Sequence, residues 1–255
     1  DNIETEEIHN VLIKSANDLI SEENPNYQYV AAKLLNMQLR KQVWQHKDTP
    51  DFLNYIRKNV DSSVYDPEME KKWTEEQVDT LGKYINHSRD DSFTFAGLQQ
   101  MIDKYLVKNR STGQIYETPQ FAYMCIAMCL FDSVEEVKRA YDCYSTFKIN
   151  LPTPIMAGVR TNIRQFSSCV LVDVDDNLDA IFSSIHAVGK YTARRAGIGL
   201  NIGRMRPINS PIRGGEVIHT GLIPYLKNFE SAVKSTSQNG LRGGSATVHV
   251  PFWHY

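Results

Sequence analysis

The sequence predicts an α/β protein in which a mostly helical N-terminal region precedes the strands and helices of a parallel sheet or barrel. Gly82 is the one glycine in the first 96 residues, whereas ten of the 14 glycines lie between Gly189 and Gly244. The run from Cys169 to Val174 is short, apolar and rich in β-branched residues, which is typical of a strand buried on both faces. A helix is predicted directly after it, and strand followed by helix is the unit of parallel sheets.

Capping residues and apolar stripes predict the N-terminal helices. Thr5 begins a helix that extends to about Ile20, where apolar residues recur at helical spacing. Asn24-Pro25 marks the start of a second helix, because proline is favoured in the first helical turn. The remaining signals are a segment bounded by Pro50 and Pro67, a β-hairpin turning at 109–113, an apolar helix from Thr118 to Leu130, and a helix capped by Ser133.

The helix after the predicted strand has polar residues at its start and glycines after its end. Asp175 or Asp176 is expected to cap it, since a carboxylate there accepts hydrogen bonds from free N–H groups. Gly197 is expected in the left-handed position that ends many helices. Gly197, Gly199 and Gly203 follow a helix, whereas the dinucleotide-binding fingerprint requires a strand before its glycines. That interpretation is therefore rejected.

Length, charge and cysteine content narrow the class of protein. The chain has 255 residues, 42% of them hydrophobic, and a formal net charge of −2. This length suffices for one or two domains with a sizeable core. The balanced charge gives no indication of nucleic-acid binding, and the sequence predicts neither a membrane helix nor a signal peptide. Four cysteines are too few for a disulfide scaffold, which favours a reducing compartment.

Three arginines and an aspartate have the chemistry to bind a phosphorylated ligand. Arg204, Arg206 and Arg213 lie within ten residues of one another in a stretch rich in proline and glycine. Asp176 is placed at a helix start and could assist with a ligand hydroxyl or a hydrated metal ion. The alternative is a solvated basic loop, and the spacing alone leaves both interpretations open.

The cysteines and a polar loop also allow two interpretations each. Cys169 follows two serines at the edge of the predicted strand, so its thiol faces either a functional pocket or the core. The polar, glycine-rich segment 235–247 suits either a loop that changes shape on binding or an ordinary connection. Cys125 and Cys129 have the spacing of half a metal site, but no second ligand pair follows, so we predict no metal site.

Five motifs taken in series resemble the large subunit of class I ribonucleotide reductase, in particular its bacterial and T4-like phage branch. Their order and spacing match over essentially the whole chain. They are Leu-Pro-Thr-Pro-Ile-Met-Ala-Gly at 151–158, Arg-Gln-Phe-Ser-Ser-Cys at 164–169, Arg-Ala-Gly-Ile-Gly at 195–199, Arg-Gly-Gly-Glu at 213–216 and Arg-Gly-Gly at 242–244.

The resemblance implies a domain organisation. Residues 1–45 match the C-terminal part of an ATP-cone-like region, and residues 46–150 match a helical domain with a β-hairpin. Residues 151–255 match the first part of a ten-stranded α/β barrel, which is incomplete in this chain.

The resemblance also implies a reaction, the reduction of ribonucleoside diphosphates to 2′-deoxyribonucleoside diphosphates by thiol and radical chemistry. Cys169 matches one member of a cysteine pair that supplies two electrons by closing a disulfide. A radical on another cysteine abstracts the substrate's 3′ hydrogen. Thr153, Ser168, Cys169 and Gly197 match positions that hold the substrate's phosphates and sugar through hydroxyl and backbone N–H groups.

Nucleotide control is implied at three places. A specificity site for a nucleoside triphosphate effector with Mg²⁺ matches Asp176, Asn177, Leu178, Arg206 and Arg213. A loop at 235–247 that relays effector identity to the substrate matches Gln238 and Arg242 in this chain. An activity site that senses ATP against dATP matches Thr5 and Lys41.

Partners follow from the same resemblance. The radical cysteine and the second redox cysteine would lie in a C-terminal portion of the large subunit. A small subunit would supply the radical cofactor, thioredoxin or glutaredoxin would supply electrons, and large subunits would dimerise. We expect no covalently bound cofactor in this chain, no nucleic acid, no membrane, and a cytoplasmic location, in a host cell if the chain is phage-encoded.

Two other interpretations remain open at the level of the sequence. A nucleotide-sensing module would keep the effector site and lack catalysis. A helical interaction domain would have no nucleotide role, but the glycine- and arginine-bearing last third of the chain argues against it.

Overall fold

The computed structural model describes residues 5–46, 48–163, 165–237 and 243–254. The chain forms two compact units, residues 1–164 and residues 165–255. This division comes later in the chain than the expected boundary between 150 and 151, and the three-part domain assignment stays a prediction. Each unit is described by itself below.

The first unit is helical over most of its length. Its helices are α1 (Thr5–Asp18), α2 (Tyr27–Trp44), α3 (Phe52–Asp61), α4 (Glu68–Lys72), α5 (Glu75–Tyr84), α6 (Phe95–Gln100), α7 (Pro119–Leu130), α8 (Val134–Ser145) and α9 (Thr153–Gly158). A 3₁₀ turn (His87–Ser92) precedes α6, and a π turn (Met101–Tyr105) follows it. The helices predicted after Thr5, Asn24-Pro25 and Thr118 are confirmed.

Helix α7 is the centre of the first unit's core. Apart from the buried Gln120 it is apolar on nearly every side, and a helix of this kind needs neighbours all round. Phe121 is 1% exposed and Ile126 is fully buried. The ring of Phe121 lies 5.2 Å from that of Phe52 and 4.4 Å from that of Tyr55. The core therefore joins α3 to α7.

The predicted hairpin before α7 is present as a single antiparallel bridge between Lys108 and Ile115. Gly113 makes the turn with a φ of 77°, and its N–H donates to the Asn109 carbonyl at 2.8 Å. The ladder ends early because the N–H of Val107 donates to the Glu117 carboxylate at 2.6 Å instead of to a strand partner.

A buried ion pair joins this hairpin to the end of α9. The Arg160 guanidinium donates from two nitrogens to the Glu117 carboxylate, and both side chains are fully buried. Arg160 also donates to the carbonyl oxygens of Met156 at 2.7 Å and Tyr105 at 3.0 Å, and Tyr65 donates to Glu117 at 2.7 Å. Burial alone would lower the pKa of Arg160, but Glu117 outweighs it and holds that pKa above its usual value.

The second unit is a parallel sheet with helices. Its elements are β1 (Cys169–Asp173), α10 (Leu178–Ala193), β2 (Gly197–Asn201), β3 (Pro211–Ile212), β4 (Val217–Ile218), α11 (Ile223–Ser237) and β5 (Ala246–His249). Among its described residues, β1, β2 and β5 form a parallel sheet in the order β1-β2-β5. Its core contains Val188 from α10, Leu200 from β2 and Phe229 from α11. The α/β class predicted from the sequence is confirmed.

Three local predictions in this unit are wrong. Strand β1 is not buried on both faces, because Leu171 is 84% exposed and no described element of the unit packs against its face. Asn177 caps α10, accepting from the Ala180 N–H at 2.8 Å, since arginine contacts occupy the neighbouring aspartates. Gly197 begins β2, and Arg195, with a φ of 73°, takes the left-handed position after α10.

Candidate functional site

The starts of β1 and β2 bring three of the predicted substrate residues together. Cys169, which has an exposed side chain, pairs in register with the buried Gly197 on the adjacent strand. Ser168 lies next to Cys169 in the chain, and its carbonyl accepts from the Gly197 N–H at 2.8 Å. That N–H is therefore already paired within the chain.

A groove of about 870 Å³ lies against the three parallel strands. Side chains alternate between the two faces of a strand, so Cys169 points to the same side as Leu171 and Asp173. Both of these residues line the groove, together with Gly199 and Asn201 of β2. Cys169 is exposed rather than buried in the apolar core, but it is not itself among the residues that line the groove.

An aspartate–arginine pair lies beyond the carboxyl ends of β1 and β2. The Asp176 carboxylate accepts from the backbone N–H of Arg206 at 3.1 Å and from its Nε at 2.7 Å. Arg206 also donates to the Asp176 carbonyl at 3.4 Å. Asn177 follows as the cap of α10, and Leu178, the first residue of that helix, is 58% exposed. Four of the five predicted effector residues therefore lie around the N-terminus of α10.

A second group of ion pairs lies at the same carboxyl ends of the strands. The sequence did not predict the partners of Arg204. Arg204 lies 3.1 Å from Asp175 and 3.6 Å from Asp173 in its ion pairs. Asn201 donates to Asp173 at 2.7 Å. Because Asp173 and Asn201 end two adjacent parallel strands in register, their position after two apolar runs is the signal that could have predicted the contact.

Arg213 lies apart from the pair formed by Asp176 and Arg206. It begins the turn between β3 and β4 with a φ of 51°, and its side chain is exposed. Within the described residues this side chain makes no hydrogen bond or ion pair. The buried His219 follows β4, where its ring stacks on that of Tyr225 at 5.7 Å and its Nδ1 accepts from the Gly221 N–H.

The predicted activity-site residues lie near a cavity in the first unit. Lys41 on α2 lines a cavity of about 380 Å³ with Glu6 and His9 of α1. Thr5 precedes Glu6 at the start of α1 and does not itself line the cavity. Lys41 lies in the last turn of α2 and could pair with an anion in this cavity, whereas the Glu6 carboxylate at the start of α1 would repel one.

The remaining predicted site residues are not assembled with the others. Thr153 is the half-buried first residue of α9 and belongs to the first unit, whereas Ser168, Cys169 and Gly197 belong to the second. Gln238 and Arg242 lie outside the described residues.

The ribonucleotide reductase all-alpha domain model matches residues 91–164, and the ribonucleotide reductase barrel domain model matches residues 167–255. The chain belongs to the ribonucleotide reductase family. Its three-stranded parallel sheet, as far as the structure describes it, falls within the match to the barrel domain.

Relatives in the family match the chain from end to end. It is 49% identical to ribonucleoside-diphosphate reductase 1 subunit alpha of Escherichia coli strain K12 over 100% of this chain. It is 50% identical to the subunit alpha of Haemophilus influenzae over 99% of the chain, and 47% identical to that of phage T4 over 100%. The chain spans about a third, 34%, of the length of each of these relatives.

No group of three or more histidine, cysteine, aspartate or glutamate side chains with metal-binding geometry occurs among the described residues. Over the same residues, no helix combines the length and the apolar character that a membrane crossing requires.

Proposed function

We propose that this chain is the N-terminal portion of a ribonucleoside-diphosphate reductase large subunit, in which Cys169 is one of two redox thiols. The observation that carries the proposal is the exposure of Cys169 at the start of β1, on the strand face that also carries Leu171 and Asp173. Membership of the ribonucleotide reductase family and the match of this segment to its barrel domain support the assignment.

The proposed reaction replaces the substrate's 2′ hydroxyl by hydrogen. The 2′ carbon–oxygen bond breaks, the hydroxyl takes up one proton and leaves as water, and a carbon–hydrogen bond forms at the 2′ carbon. Two thiols each give up one proton and one electron and form a disulfide, which supplies the two protons and two electrons of the reduction. Cys169 provides one thiol. The second thiol and the cysteine that carries the radical would lie in parts of the relatives' chain that this segment does not match.

The substrate would lie against the start of β1. The Ser168 hydroxyl and the Thr153 hydroxyl are the proposed donors to the substrate's phosphates or sugar, and Gly197 leaves room for it beside the thiol. Gly197 has its N–H bonded to the Ser168 carbonyl, so we assign it a steric role and no donor role.

The effector would bind beyond the carboxyl ends of the strands. We propose that Arg206 and Arg213 bind the effector's phosphates and that Asp176 contacts its ribose. Asn177 and Leu178 would lie near its base. Mg²⁺ prefers oxygen ligands and is often held largely by nucleotide phosphates. The aspartates here already pair with arginines, so the ion would enter with the triphosphate. Thr5 and Lys41 are proposed for a separate activity site, and Gln238 and Arg242 for the relay between effector and substrate.

The proposed assembly has several partners. A C-terminal portion of the large subunit would complete the barrel, a small subunit would supply the radical cofactor, and thioredoxin or glutaredoxin would reduce the disulfide. Two large subunits would dimerise. We propose a cytoplasmic location, which would be the host cytoplasm for a phage-encoded chain.

The test replaces the thiol in the full-length large subunit assembled with its small subunit. We expect Cys169→Ser to abolish deoxyribonucleotide formation with a dithiol reductant, because serine cannot form a disulfide. Cys143→Ser is the matched control, since that half-buried cysteine lies on α8 in the other unit, and its turnover should equal wild type. Normal turnover by Cys169→Ser would overturn the redox assignment.

A nucleotide-sensing module without catalysis is the second candidate. Asp176 and Arg206 form their ion pair without any group near Cys169. This favours an effector site that could act without catalysis. Under both candidates, Arg206→Ala should weaken nucleoside triphosphate binding by about tenfold or more, since a charge-assisted contact is worth roughly 1.5–3 kcal/mol. Arg139→Ala on the exposed face of α8 is the control. Binding without reductase activity in the complete complex would select the sensing module.

A further inference from the structure

Arg160 holds the short helix α9 by its C-terminal end. Its guanidinium donates to the Met156 carbonyl oxygen at 2.7 Å, which is one of the last four carbonyls of this helix. These carbonyls have no partner inside a helix, and a cation beside them is favourable. Six residues are too few for a helix that is stable by itself. The place of α9 therefore depends on its anchors, and Arg160 is one of them.

The anchor is itself fixed by other parts of the first unit. The Glu117 carboxylate accepts from two nitrogens of the guanidinium, and both side chains are fully buried. The guanidinium also donates to the Tyr105 carbonyl at 3.0 Å, and the Arg160 carbonyl accepts from the Asp66 N–H at 2.9 Å. Because a buried charge is costly without its partner, the guanidinium is confined to this place.

Thr153 lies one helical turn from the anchored carbonyl. It is the half-buried first residue of α9, and in this turn the Met156 N–H donates to the Pro152 carbonyl at 3.1 Å. Three residues of α-helix span about 4.5 Å. A shift at Met156 therefore moves Thr153 with it. Among the described residues the Thr153 hydroxyl has no hydrogen-bond partner, so it is available to a ligand.

We propose that Arg160, held by Glu117, is a positioning residue for binding of the ribonucleoside diphosphate, because it fixes the helix from which the Thr153 hydroxyl donates. This inference rests on the proposed function, in which Thr153 binds the substrate. Arg160 is fully buried, so it acts through α9 and not by contact with the substrate. The motif at 151–158 ends before Arg160, and the sequence therefore assigned it no role.

Two substitutions move the anchor while they keep both charges of the pair. Arg160→Lys leaves a cation beside the carboxylate, but one ammonium nitrogen cannot reproduce the fork of contacts to a carboxylate and two carbonyls. Glu117→Asp shortens the side chain by one methylene and draws the guanidinium away from Met156. Arg89→Lys is the matched control, because the half-buried Arg89 donates to two side chains of α8 instead.

The experiment measures KM and kcat for a ribonucleoside diphosphate with the full-length large subunit assembled with its small subunit. Thr153→Ala gives the reference, and we expect it to raise KM by about tenfold or more, as is typical of a lost hydrogen bond to a charged group. Arg160→Lys and Glu117→Asp should raise KM in the same direction with kcat retained, since they weaken binding and leave the chemistry intact. Arg89→Lys should keep the wild-type KM.

This readout separates positioning from a general loss of structure. A smaller fraction of folded enzyme lowers the apparent kcat and leaves KM unchanged. In addition, if Arg160 acts through the Thr153 hydroxyl, Arg160→Lys added to Thr153→Ala should raise KM no further than Thr153→Ala alone. The inference is overturned if the two effects multiply, or if Arg160→Lys and Glu117→Asp both keep the wild-type KM.

Failure of the proposed function gives a different result. A wild-type complex that forms no deoxyribonucleotide contradicts the proposed function, and the inference falls with it. A wild-type KM for Thr153→Ala in an active complex overturns the inference alone and leaves the redox assignment of Cys169 standing.

Discussion

The environment of each cysteine separates one reactive candidate from three structural ones. Burial raises the pKa of the Cys125 thiol well above its ordinary value, with the Glu117 charge adding to the effect. A thiol of this kind stays protonated and unreactive. Cys129 and Cys143 are half-buried in the helical unit, whereas Cys169 is exposed at the start of β1. The sequence left the role of Cys169 open, because a cysteine at a strand edge is compatible with either environment.

His87 illustrates a titratable group that the fold holds neutral. Its ring packs edge-on against Trp44 at 5.4 Å and Phe121 at 5.1 Å. Burial, with a smaller contribution from the Arg40 charge, lowers the pKa of His87 to about 4. His87 of the unfolded chain is protonated near pH 6.5, whereas that of the folded chain is protonated only near pH 4. The contribution of His87 to the unfolding free energy is therefore fully present above pH 6.5 and is lost as the pH falls from 6.5 to 4.

We predict that His87→Phe removes this pH dependence, since phenylalanine keeps a ring against Trp44 and Phe121. The difference in unfolding free energy between variant and wild type should shift in favour of the variant by about 2–3 kcal/mol between pH 7 and pH 4. Comparing the two proteins cancels the titration of Asp90, whose pKa burial raises. Urea unfolding at several pH values measures the difference, and a pH-independent difference would contradict the assignment.

At the scale of elements, the predicted helices were confirmed where one signal dominated. The cap at Ser133 accepts from the Glu136 N–H at 3.3 Å and begins α8. Where several residues compete, the sequence could not decide. Residues 175–177 are all good helix caps, and Asn177 takes the role because the side chains of Asp175 and Asp176 contact arginines about 30 positions away along the chain.

The exposed face of β1 was unpredictable for a different reason. Leu171 is apolar, so its type predicts burial, yet it is 84% exposed. A sequence pattern reports which environment a side chain prefers, and which element covers it depends on the tertiary structure. The groove that Leu171 lines together with polar residues is the feature that the proposed barrel interior would need.

The contact between Glu117 and Arg160 predicts a large element-scale effect. Glu117→Gln would leave the Arg160 guanidinium buried without its carboxylate, at the junction of the hairpin and α9. We expect a loss of about 3–5 kcal/mol in the unfolding free energy. The control is Glu70→Gln, which breaks the exposed pair with Arg57 and should cost less than about 1 kcal/mol.

The measurement is the midpoint of urea denaturation at an unchanged slope, which reports stability alone. A loss for Glu117→Gln as small as that for Glu70→Gln would show that the buried pair does not hold these elements together. Matching losses would also indicate that water reaches Arg160.

At the scale of the whole molecule, the parallel sheet separates two kinds of site. Cys169 begins β1, and the pair of Asp176 and Arg206 lies beyond its end. A rise of about 3.3 Å per residue gives β1 a length of about 13 Å. The proposed substrate and effector regions are thus distinct, and any influence of one on the other must cross this distance. Sequence motifs identified both groups of residues, but their separation required the structure.

The central claim is that Cys169 supplies electrons to the substrate. The most direct measurement is to let the complete enzyme turn over ribonucleoside diphosphate without external reductant and then to alkylate the remaining thiols for peptide mass spectrometry. We expect Cys169 to become disulfide-bonded in proportion to the deoxyribonucleotide formed. Product formation with Cys169 still fully alkylated as a free thiol would contradict it.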